Sequence, residues 1–253
     1  MPRMMNDDME VGNVAGRQGF VFSGTRIEKL LGASEYTLVT IAVDVTGSVW
    51  GFEQELRDCL ISAVEACQKS PRVDNLLLRV VTFADQFVNG VNELHGFKLL
   101  TEIDANADYP DFSPGGMTPL CDACFSVIGA MNTYGKKLYD DDFGVNSIAF
   151  VITDGGENAS VATMQMVKEE AQKAVTGEMV ESMITVLVGI NANDCRVELE
   201  RFQQEAGITQ YVDAGEATKG RLAKLADFVS QSISSQSEAL GMGGPSQNIS
   251  ATI

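Results

Sequence analysis

The chain has 253 residues, 45% of them hydrophobic and 21% charged, with a mean hydropathy of +0.02. That composition excludes a collagen-like, coiled-coil or mostly disordered chain, and the length suits one α/β domain with extensions or at most two small domains. Eighteen basic residues against 35 acidic ones give a formal net charge of −17, and with no basic patch this makes nucleic acid and anionic membrane surfaces poor partners.

Residues 1–35 mix acids and glycines and read as an N-terminal arm, with a short strand at 19–22 before Ser23-Gly24. Residues 36–43 are apolar and β-branched, the pattern of a strand buried on both faces, and they end in Asp44-Val45-Thr46-Gly47-Ser48. Phe52, Leu56, Leu60, Ala63, Val64 and Cys67 recur at helical spacing over 50–69, and Pro71 closes that helix. Residues 76–83 form the next apolar strand. The link to a strand at 96–101 is too short for a crossover helix, so that strand is expected to pair antiparallel at an edge. A loop at 104–117 carries Asp104, Asp108, Asp111 and several Pro and Gly residues.

A helix follows at 120–131, a buried strand at 147–153 ending in Asp154-Gly155-Gly156, and a helix near 162–175. A strand at 183–188, a helix at 197–205, a short strand at 210–212 and a helix near 221–233 complete the series. The Gly-rich tail reads as flexible over 236–253. Strands alternating with helices predict an α/β fold: a doubly wound (Rossmann-like), mostly parallel six-stranded sheet, one antiparallel edge strand, and helices on both faces of a domain at 36–235. Such sheets bind ligands beyond the carboxyl ends of their strands, where strand order reverses. In the common order 3-2-1-4-5-6, the strands ending at Asp44 and Asp154 are neighbours, about 4.8 Å apart. Two carboxylates so placed repel unless a cation or a shared proton intervenes.

Hydroxyls surround that pair. Thr46 and Ser48 follow Asp44 in a tight turn, and Thr118 lies in Gly115-Gly116-Met117-Thr118-Pro119 before the next helix. Carboxylates, hydroxyls and water are hard oxygen ligands that suit Mg²⁺, Mn²⁺ or Ca²⁺ and not zinc or copper. These residues, with Asp154 in Ile-Thr-Asp-Gly, resemble the von Willebrand factor A domain and its metal-ion-dependent adhesion site, over roughly residues 36–235. The resemblance implies a metal set of Asp44, Thr46, Ser48, Thr118 and Asp154, with the two Asp acting through water. Thr46 stands where that family usually has Ser. It further implies an intracellular bacterial or phage type of module, in which a Mg²⁺ ion captures an acidic residue of a protein partner, with some such modules working beside AAA+ ATPases. Homo-oligomerisation is left open.

The other candidates are weaker. Cys121 and Cys124 form a CxxC with no second pair and no His nearby, so they read as a core-facing helical stripe. His95, the sole histidine, reads as a solvated link residue, and the run Asp140-Asp141-Asp142 as a solvated loop. Trp50 either lines the ligand face or starts the first helix and packs inward. The alternative function is a Mg²⁺-dependent phosphohydrolase using Asp44 as nucleophile; against it, Thr46 stands where such enzymes place a second Asp. Five cysteines, an odd number, make no disulfide framework, residues 1–12 hold no apolar signal region, and no apolar stretch is long enough to span a bilayer. The expected location is the cytoplasm.

Overall fold

A computed structural model describes residues 9–14, 19–27, 34–176 and 180–242. In chain order the strands and helices begin with β1 (Met9–Asn13), β2 (Val21–Thr25), β3 (Glu35–Asp44), α1 (Glu53–Cys67), β4 (Leu76–Phe83) and β5 (Val91–Leu99). They continue with α2 (Ala105–Asp108), α3 (Leu120–Asp140), β6 (Gly144–Thr153), α4 (Met164–Thr176), β7 (Ser182–Ile190), α5 (Arg196–Ala206), β8 (Gln210–Gly215) and α6 (Lys219–Gly241).

β3 is buried at nine of its ten positions, and its Thr, Val, Leu and Ile side chains fit a strand covered from both sides. Leu38 and Ala42 join an apolar cluster with α3, α4 and α5. Val39, Ile41 and Val43 point the other way, into a cluster with α1 and α6. The strand order is β1-β2-β5-β4-β3-β6-β7-β8. β4, β3, β6, β7 and β8 are parallel, so their carboxyl ends share one edge of the sheet. Val43 lies opposite Ile152, which makes the strands ending at Asp44 and Thr153 neighbours.

Three expectations about the sheet are corrected. It has eight strands among the described residues, not six. β5 does pair antiparallel with β4, but it is not an edge, because β2 lies beside it and β1 beyond that. β5 also starts at Val91, so His95 is a strand residue, only 9% exposed, with its Nε2 3.0 Å from the Tyr109 hydroxyl.

The flank is held by charge more than by backbone pairing. β2 and β5 share one register pair, Gly24 with Phe97. Arg79 of β4 is wholly buried and donates to Glu93 of β5 at 2.7 Å; Glu93 in turn accepts from the Ser23 amide at 3.0 Å and its hydroxyl at 2.6 Å. Gly96 is what lets β2 come this close: a Cβ there would lie 2.1 Å from the Ser23 carbonyl oxygen.

At the other end of the chain, α6 runs to Gly241, past the expected end at 233 and the expected start of the tail at 236. Gln236, Ser237, Ala239 and Leu240 are buried in it. Arg72 holds the last turns by donating to the Ser237 hydroxyl at 2.9 Å, and Asn146 donates to the Gln236 carbonyl at 2.7 Å. The expected tail beyond 242 lies outside the described residues, as does most of the expected arm.

Candidate metal centre

Asp44 is the last residue of β3 and is 1% exposed. Its Oδ1 accepts from the Thr46 amide at 2.8 Å, the local turn that Asp favours. Its Oδ2 accepts from the Thr153 hydroxyl at 2.7 Å, across the β3–β6 pair. The Thr46 hydroxyl lies 3.1 Å from that of Ser48, and Ser48 donates to Asp154 Oδ1 at 2.8 Å. A line of oxygens thus joins the loop after β3 to the loop after β6, over 106 residues of sequence.

Thr118 comes from a third segment. Gly47 donates its amide to the Gly116 carbonyl at 3.0 Å, which ties the loop before α3 to the loop after β3. Gly116 turns with φ +77°, and a Cβ there would collide with Asp85 Oδ1, so this approach needs glycine. The Thr118 hydroxyl packs over Gly155, the residue after Asp154: a Cβ on Gly155 would lie 3.2 Å from it. Asp44, Thr46, Ser48, Thr118 and Asp154 therefore meet at one place beyond the carboxyl ends of β3 and β6.

Two features of this place were missed in the sequence. Thr153 is a direct partner of Asp44, concealed because its strand reads as uniformly apolar. The loop after β6 also clasps the start of α3 at several points. Thr118 donates to Asn158 Oδ1 at 2.7 Å, and the Asn158 amide donates back to the Thr118 carbonyl at 3.1 Å. Glu157 accepts from the Cys121 amide at 2.6 Å, and Asp122 accepts from the amides of Val161 and Ala162. Each carboxylate caps exposed amides on the opposite element. Only the Gly155-Gly156-Glu157-Asn158 turn hinted at this, and it reads as an ordinary loop.

The electrostatics are one-sided. Residues 44–53, 84–90, 104–119 and 154–163 hold eight Asp or Glu and not one Lys, Arg or His. Burial pushes the Asp44 carboxyl up to about 6, against the hydrogen bonds from Thr153 and Thr46, and Asp154 adds repulsion. Burial raises Asp154 too, against the Ser48 hydrogen bond. Among the described residues no three His, Cys, Asp or Glu side chains are grouped to hold a metal. The set here has two carboxylates and otherwise rests on hydroxyls. All its donors are hard oxygens, which fits Mg²⁺, Mn²⁺ or Ca²⁺ with water completing the shell.

The remaining candidates have structural partners. Cys121 and Cys124 are buried in α3, and burial pushes both thiols far above their ordinary range. Asp104 caps α2 through the amides of Asn106 and Ala107, Asp108 pairs with Lys98 at 2.8 Å, and Asp111 lies 3.6 Å from Arg57. Asp140 pairs with Lys136 at the end of α3. Trp50 faces outward, 66% exposed.

No family model matches the chain, and no curated protein matches it by sequence. Solved structures do. The PilB minor pilin from Streptococcus sanguinis is similar at a TM-score of 0.56 and 12% identity, over 87% of this chain and 66% of that one. The pilus adhesin SpaC from Lactobacillus rhamnosus GG, in its open conformation, gives 0.54 and 10%, over 91% of this chain and 35% of that one. The vWF domain of the type V pili tip protein Mfa5 from Porphyromonas gingivalis gives 0.51 and 11%, over 86% of this chain and 99% of that one. The fold is therefore von Willebrand factor A-like. The chain spans less than two thirds of the length of the first two of these structures' chains.

Proposed function

We propose that the chain is a divalent-cation-dependent protein-binding or assembly module, in which an ion held by Asp44, Thr46, Ser48, Thr118 and Asp154 captures an acidic residue of a partner. The observation that carries this reading is the gathering of those five oxygen-bearing side chains from three distant segments, with no Lys, Arg or His in residues 44–53, 84–90, 104–119 and 154–163. With hydroxyls as neutral ligands, an ion there keeps enough positive charge to favour an anionic ligand. The similar structures, a minor pilin, a pilus adhesin and a pilus tip domain, support a binding or assembly role over catalysis.

The phosphohydrolase alternative fares worse. Both oxygens of Asp44 accept hydrogen bonds inside the protein and the residue is 1% exposed, which ill suits a nucleophile. We place the protein in a reducing compartment, the cytoplasm, because all five cysteines are free and four of them are buried. No helix among the described residues is long and apolar enough to cross a membrane.

The test is thermal unfolding of the full chain with and without Mg²⁺. An ion at 100 times its dissociation constant adds about 2.7 kcal/mol, which raises the Tm by several degrees. Asp154→Ala is expected to remove the shift. A shift that survives in Asp154→Ala places the ion elsewhere and overturns the reading.

A further inference from the structure

Nine large apolar side chains stand exposed among the described residues, and five of them lie on loops or at a helix start near the candidate site. Trp50 follows β3, Val88 follows β4, Met117 precedes α3, Val161 follows β6 and Val197 follows β7; they are 53–85% exposed. β4, β3, β6 and β7 are consecutive parallel neighbours, so these loops rise from four adjacent strand ends spanning about 14 Å. The other four exposed apolar residues lie on β1, on β2 and at the far ends of α3 and α6.

Four of the five are fastened to the candidate site or to segments bound to it. Met117 follows Gly116, whose carbonyl binds the Gly47 amide, and Trp50 stands three residues after Gly47. The Met117 amide also donates to Asp85 Oδ1 at 2.8 Å, and its carbonyl accepts from the Asp85 amide after β4 at 3.1 Å. The Val161 amide is held by Asp122, and the Cys195 thiol near Val197 donates to the Asp154 carbonyl at 3.5 Å. Trp50 is the chain's single tryptophan, and neither it nor Met117 is needed by the core. Trp is enriched among the residues that anchor binding energy at interfaces, and Met adapts to the shape of what it meets.

We propose that this collar is a docking surface for a partner segment carrying one acidic residue flanked by large apolar side chains. The proposal rests on the cation-binding reading above and names the partner chemistry for that same site. Charge decides the occupant. The loops around the centre are acidic and have almost no base; Arg196 beside Val197 is engaged by Glu200 and Asp213. One acid on the segment meets the ion, any further acid meets carboxylates, and apolar neighbours meet the collar.

A random linear-peptide library selected on the full chain in Mg²⁺ tests this. Enriched peptides are expected to carry a single Asp or Glu beside Leu, Phe, Met or Trp, to be depleted in second acids, and to be released by EDTA. Their binding should change Trp50 fluorescence. Trp50→Ser and Met117→Ser should each weaken the enriched peptides about tenfold, while the Mg²⁺-induced rise in Tm stays as in the wild type. Peptides that need the acid and Mg²⁺ but show no apolar enrichment overturn the collar and leave the cation reading standing. Apolar peptides that bind without acid or cation overturn the acid-plus-apolar partner and the cation reading together, while still locating the collar. Wild-type affinity in both Ser variants, or no enrichment at all, overturns the proposal.

Discussion

Two regions of this molecule withdraw carboxylates from water, and they do so in opposite ways. On the flank, Glu93 is met by the buried guanidinium of Arg79 and by Ser23. At the carboxyl edge of the sheet, Asp44 is met only by hydroxyl and amide groups, and Asp154 by Ser48. The first network is neutral, its charges paired within the chain, although Arg79 Nη1 finds no hydrogen-bond partner. The second carries negative charge with no counter-charge from the protein, and burial has already raised the Asp44 carboxyl to about 6. A buried charge is tolerated when paired. The contrast marks the flank as architecture and leaves the edge as the place where the proposed cation would supply the missing counter-charge.

The largest effect is expected from breaking the charge-paired network. Glu93→Ala strands Arg79 without its partner and should destabilise the chain by about 3 kcal/mol or more in urea unfolding. Its Mg²⁺ response should stay intact. A loss below about 1 kcal/mol would remove the distinction drawn between the regions.

The incomplete network should respond to pH instead. Asp44 has a folded value raised above its ordinary 3.8, so the folded state binds the proton more tightly. Its contribution to stability is fully present below pH 4 and is lost as pH rises through about 6, on the order of 3 kcal/mol in the absence of divalent ions. Asp44→Asn should flatten that part of the pH profile. A wild-type profile in EDTA identical to that of Asp44→Asn would show that burial does not perturb this carboxyl.

A smaller effect separates position from ligation. Asn158 holds Thr118 through two reciprocal hydrogen bonds yet contributes no candidate ligand. Asn158→Ala should cost about 1–2 kcal/mol of stability and weaken Mg²⁺ binding by loosening Thr118. Mg²⁺ titrations followed by Tm would show unchanged affinity if the clasp is merely structural.

Of the strands read from sequence, β3, β4, β6 and β7 carry a continuous apolar signal and β5 and β8 are legible only in part, and Val43 does stand opposite Ile152. What escaped was built from polar residues. β5 contains Asn92, Glu93 and His95, which suit a link until Arg79 and Tyr109 supply their partners from elsewhere. β2 reads from sequence two residues early, at 19–22, because Ser23 and Gly24 look like a turn; it runs over Val21–Thr25 and gains those residues from tertiary contact instead of propensity. α6 was cut short because Ser232, Gln236 and Ser237 look like a wet face although they are buried. α3 was legible further than it was read, since Val127, Met131, Tyr134 and Leu138 keep the helical period to its end. At the candidate centre, the five side chains could be brought together on paper because each follows a strand or precedes a helix. The clasp of Glu157, Asn158 and Asp122 could not, because its hydrogen bonds join residues 36 to 40 positions apart with no repeated pattern.

Gly96 governs whether this sheet can extend past β5. Its bare α-carbon is the seat on which the Ser23 backbone rests, and even one methyl group would collide with it. Glycine there leaves room for β2 and for β1 beyond it. Any side chain there would have to push Ser23 away, and with it one of the two partners that hold Glu93. The seating of the whole flank thus turns on one missing methyl group.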